Sequence, residues 1–117
     1  YAALGDVWSG GPVDTPERAR AWVRWAKKQG YDGIKLFNTV PREATAAAIA
    51  EATRLGLGSV AHLGQGGVAE VNARVAGDLG LGTVTHFYGH FESLLKGSSL
   101  SRYPADYNMF DEQDRFY

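Results

Sequence analysis

The sequence predicts an α/β fold built from three consecutive βα units with parallel strands, and three observations predict it. Short apolar runs that follow a glycine recur: Gly33-Ile34-Lys35, Gly58-Ser59-Val60-Ala61-His62 and Gly82-Thr83-Val84-Thr85-His86. Stretches of helical character lie between them, so that 27 residues separate Lys35 from His62 and 24 separate His62 from His86, near the roughly 30 that a parallel crossover unit needs. Each run closes on a group able to bind a metal or act as a nucleophile, and the carboxyl ends of parallel strands are where such folds place their chemistry.

The opening segment through Pro12, with Gly5, Gly10 and Gly11, has the composition of a loop. Thr15 can then cap a helix whose first turn accepts Pro16. Ala19, Trp22, Val23 and Ala26 follow at three-to-four spacing, and Gln29-Gly30 supplies the stop, which predicts a helix from Pro16 to Gln29. Tyr31-Asp32-Gly33 leads into a short strand, Ile34 to Phe37. Pro41 opens an alanine-rich helix from Arg42 to Leu55, closed by Gly56, and Ser59 to His62 is the next strand. Beyond the Gly64-Gln65-Gly66-Gly67 loop, Val71, Val75 and Leu79 stand four apart in an amphipathic stretch from Val68 to Leu79, and Thr83 to His86 is the third strand. After it, Phe91 to Leu95 suits a short helix, and Arg102 to Phe110 reads as an aromatic-rich loop.

Composition narrows the functional classes. The 117 residues and 44% hydrophobic content suit one packed domain. Twelve Lys plus Arg against 13 Asp plus Glu leave no basic excess for phosphate-backbone binding, so nucleic acid is not an expected partner. No apolar stretch approaches the roughly 20 residues of a membrane span. With no cysteine, any metal must be held by imidazole, carboxylate or a modified amine. The chain starts at Tyr1 and stops in what reads as the beginning of a helix, so it is expected to be a piece of a longer protein, and a signal region would lie upstream; localisation stays open.

Alternation along the strands puts Lys35 with Gly33, His62 with Val60 and His86 with Val84, so that all three chemical groups can point one way while Ile34, Leu36, Ala61 and Thr85 face the covering helices. Strands with helices on one side leave the other sheet face bare until further strands close over it. An eight-stranded TIM (β/α)8 barrel closes at about 250 residues, and the chain is therefore expected to be a partial barrel. In isolation it should be inactive and prone to aggregate.

Two imidazoles in one cavity are a sensible ligand pair for zinc. Lys35, on an apolar strand, needs a compensating group: an acidic partner elsewhere in the barrel, a Schiff base with a carbonyl substrate, or modification by carbon dioxide to an anionic carbamate able to bridge two cations. His90 lies four residues after His86, but Gly89 between them disfavours a settled helix, so His90 is expected in a loop near the cavity, in reach of substrate. The Tyr88 hydroxyl is a second candidate for touching substrate.

Gly33-Ile34-Lys35-Leu36-Phe37, Val60-Ala61-His62 and Thr83-Val84-Thr85-His86-Phe87-Tyr88-Gly89 resemble successive strand ends of the metal-dependent amidohydrolase superfamily, in order and spacing from about Pro12 to Leu95. The segment Tyr103 to Asn108 with Asp111-Glu112-Gln113 is similar to a loop of imidazolonepropionase-like and prolidase-like bacterial members. The resemblance implies that residues 1–117 are an internal part of a single catalytic barrel domain, about strands 4 to 6. It implies a carboxylated Lys35 that bridges two divalent metals, zinc foremost, with His62 and His86 as ligands of the second, one or two ions in all. It implies hydrolysis of an amide or cyclic amide bond in a small-molecule or peptide-like substrate by metal-activated water. The family's first-strand His-x-His pair and eighth-strand aspartate have no counterpart among these residues. A class I aldolase using Lys35 and a catalytically silent fragment are the alternative expectations.

Overall fold

In the structure, a computed structural model, residues 1–4, 8–37, 40–64, 70–86, 89–90 and 92–94 are described. Among them the chain forms a four-stranded parallel sheet whose spatial order follows the sequence: β1 (Ala2–Ala3), β2 (Gly33–Phe37), β3 (Gly58–His62) and β4 (Thr83–Thr85). One helix precedes each of the last three strands: α1 (Pro16–Lys28), α2 (Arg42–Arg54) and α3 (Ala73–Asp78). The α/β class and the parallel strands are as the sequence predicts.

Two boundaries differ in instructive ways. β1 falls in the segment expected to be loop: its two residues contain no β-branched side chain, and only pairing with β2, Ala2 to Ile34 and Ala3 to Lys35, makes it a strand. Helix α3 begins at Ala73, not near Val68, because the Asn72 side chain accepts a hydrogen bond from the Val75 amide at 3.1 Å and caps the helix there. Residues 65–69, where the longer helix was expected to start, lie outside the described residues. Thr15 caps α1 as expected, accepting from the Arg18 amide at 3.3 Å. A 3-10 turn, Glu92–Leu94, stands within the expected Phe91–Leu95 helix, and the Arg102–Phe110 loop lies outside the described residues.

The helices cover one face of the sheet. Trp22, Val23 and Ala26 of α1, Ala44, Ala48, Ile49 and Ala52 of α2 and Ala76 of α3 join Ile34, Leu36 and Ala61 of the strands in one buried cluster. The small alanine side chains of α2 let α1 approach closely, and the resulting layer removes Trp22, Ile34 and Leu36 almost wholly from solvent. Glu51, buried on α2, ties the helices together electrostatically. It accepts from Arg24 Nε of α1 at 2.6 Å and from Nη2 and Nε of Arg54 at 2.7 and 2.9 Å.

On the other face the registers define three levels. Gly33 pairs with Gly58, and the Tyr1 ring lies over both, so close that a Cβ at Gly33 would come within 2.4 Å of it. One level up stand Ala3, Lys35, Val60 and Thr83. The third level is Phe37, His62 and Thr85. Val60 is buried, yet it is not part of the helix-side cluster.

Candidate functional site

The third level and the space above it hold titratable and aromatic side chains. The alternation expected for β2 and β3 is observed: Lys35 and His62 share the open face. They are not equivalent strand ends, however. β2 continues two residues past Lys35, whose register partner is Val60, whereas His62 ends β3 and pairs with Phe37. Length compensates for the lower level, since the Lys35 stem carries Nζ up to 5.4 Å from the centroid of the Phe37 ring. Among the described residues no carboxylate forms an ion pair with Lys35. The aromatic face offers the ammonium an attraction in place of one.

β4 corrects the expected facing. Its register pairs Ala61 with Val84 and His62 with Thr85, so Thr85 is on the open face and Val84 packs against the helix-side core. Continued extension would carry His86 to the helix side as well. Instead His86 leaves the strand with φ at 65°, the one non-glycine residue with positive φ among the described residues. Histidine enters this left-handed region more readily than most side chains, but such a backbone still costs about 1–3 kcal/mol. The turn sets the exposed His86 ring beside that of His62, centroids 4.6 Å apart and planes tilted by 54°. On its other side the His62 ring lies 5.7 Å from Phe37. Thr85 anchors the strand end, its hydroxyl donating to the Ala61 carbonyl at 3.2 Å.

Electrostatics favour the neutral form of His62. Burial, and then the charges of His86 and Lys35, lower its pKa below the ordinary 6.5. A neutral imidazole is the ligand form. Two imidazoles on one tetrahedral zinc have ring centroids about 5 Å apart, given zinc–nitrogen bonds of about 2.0–2.1 Å. The observed separation of the ring centroids is close to that. Among the described residues no three His, Asp or Glu side chains converge as a ligand group.

His90 is an exposed turn residue whose carbonyl accepts from the Ser93 amide at 3.2 Å. Among the described residues, no ring stacking joins His90 to His62 or His86. Tyr88 lies outside the described residues. Phe37, which touches both Lys35 and His62, was the member that could have been found by alternation, being two residues past Lys35 on the same strand. Compared with family models, with curated proteins and with solved structures, the chain matches none.

Proposed function

We propose that this sheet is part of a (β/α)8 barrel and that the full-length protein is a metal-dependent hydrolase of the amidohydrolase type, acting on amide or cyclic amide bonds. The observation that carries the reading is the convergence of Lys35, His62 and His86 on the open sheet face, with His86 held in a costly backbone conformation to get there. Strand order following sequence order, with the helices gathered on one face, is the arrangement a barrel requires. The levels of small and large side chains on the other face suit a barrel interior.

Lys35, as its carbamate, with His62 and His86, would hold the cation, zinc foremost. When bound, the metal supplies a water acidic enough to ionise near neutral pH. The neutral amine of Lys35 would attack carbon dioxide: the N–C bond forms as one C=O π bond opens to an oxyanion, and the nitrogen then loses one of its two N–H protons to solvent, leaving an anionic carbamate oxygen donor. The lowered pKa of His62 keeps its imidazole unprotonated at neutral pH.

Replacing Lys35 with alanine in the full-length protein tests the reading. Amide hydrolysis should be lost and partly restored by short carboxylic acids that occupy the carbamate's place. A carbamate carbon should also appear in the ¹³C spectrum of the wild-type protein under labelled carbon dioxide. Activity of the alanine variant without added acid would sink the role of Lys35. Borohydride trapping of a carbonyl substrate on Lys35 would replace the hydrolase with a Schiff-base lyase.

A further inference from the structure

The left-handed turn at His86 has a local cause. Extending the β3–β4 register by one residue would make His86 the partner of Leu63, which follows His62 and packs on the helix side with 1% exposure. Gly89 packs against that Leu63 side chain. The residue is buried, has φ at 85°, and lies so close over Leu63 that an added Cβ would come within 2.9 Å of both Leu63 Cβ and Cδ1. Its carbonyl accepts from the Ala73 amide at 3.1 Å and the Ser93 amide at 3.2 Å, which fastens it to the start of α3.

We infer that Gly89 is a positioning residue for the imidazole pair: by packing on Leu63, the register partner of an extended His86, it forces the His86 ring across to His62. Glycine is required twice over, once for the positive φ and once for the absence of a side chain against Leu63. A side chain at 89 lifts the backbone off Leu63, lets His86 relax into the extended register, and separates the rings. The relevance to catalysis rests on the hydrolase reading, but the pairing itself does not.

The experiment uses the metal-free full-length protein with ¹³C,¹⁵N-labelled histidine. Wild type should give nuclear Overhauser cross-peaks between the His62 and His86 rings and between His62 and Phe37. In Gly89→Ala the first set should vanish while the second persists, a separation that loss of fold alone would not produce. Inter-ring cross-peaks retained in Gly89→Ala overturn the inference. If both sets vanish there, Leu63→Ala decides, because it keeps Gly89 but removes the surface that seats it. Weakened inter-ring cross-peaks then support the inference, and unchanged ones overturn it. Since no metal or substrate is added, neither outcome depends on whether the protein is a hydrolase.

Discussion

The two faces of the sheet are built from alternate residues of the same strands, yet they obey different physics. On the helix side Ile34, Leu36 and Ala61 are buried at 0%, 1% and 3% exposure in one apolar cluster. On the open side the neighbours of those residues are Lys35, Phe37 and His62, half-exposed and chemically reactive or aromatic. Leu36 and Phe37 are adjacent in the chain and belong to different environments. The strand thus separates the apolar core from the titratable and aromatic side chains with a period of two, and each face can be altered with limited effect on the other.

The largest effect is expected from breaking the helix side. Leu36→Ala should cost about 2–5 kcal/mol of folding stability, whereas Phe37→Ala, one residue on, should cost about 1 kcal/mol, as partly exposed positions do. Urea unfolding followed by tryptophan fluorescence measures both, with Trp22 in the helix-side cluster as reporter. Equal losses would mean that the two faces are packed alike and are not divided between core and open surface.

A second, more gradual effect separates the faces by pH. Glu51 on the helix side has its pKa lowered to about 2, by hydrogen bonds from Arg54 first and Arg24 second. Its folded value is below its ordinary 4.5, so its contribution is complete above pH 4.5 and is lost as the pH falls towards 2. His62 on the open side is also lowered, but from 6.5. Below that pH the unfolded chain takes up the proton first, so stability begins to fall near 6.5 and stops falling once the folded His62 is protonated too. Stability against pH should therefore decline in two windows. Glu51→Gln should remove the acidic one and His62→Gln the one near neutrality. Added salt should shrink the Glu51 window, because Arg24 and Arg54 are largely exposed.

Legibility in the sequence follows the same division. The helices and β2 and β3 were readable because their signals are local: Thr15-Pro16 at one helix start, alanine-rich periodicity in α2, and glycine before each strand. β1 was not, since two alanines become a strand only by pairing with β2. Within the site, alternation correctly joined Lys35 to the face of His62 but assigned His86 from the face of Val84, which the register turns to the helix side. The ring reaches His62 all the same, by a backbone turn that no periodicity reports. Its cause, Gly89 seated on Leu63, is a contact between residues 26 apart in the chain, visible only once β3 and β4 are side by side.

That turn provides the smallest but sharpest test of the division between faces. His86→Gly removes a side chain from a left-handed position, relieving about 1–3 kcal/mol of strain. The greater freedom of glycine in the unfolded chain takes back about 0.5–1 kcal/mol. The variant should therefore be more stable than wild type by about 1 kcal/mol, the difference of those two effects, while zinc affinity measured by competition with a chromophoric chelator falls. His86→Asn, which also tolerates the left-handed region, should leave stability near wild type and lower zinc affinity equally. A stabilised protein that has lost its metal would locate the strain where the chemistry is. A destabilised His86→Gly would instead mean that the imidazole packed on His62 contributes more to folding than its backbone costs, and the open face would then belong to the stabilising part of the molecule after all.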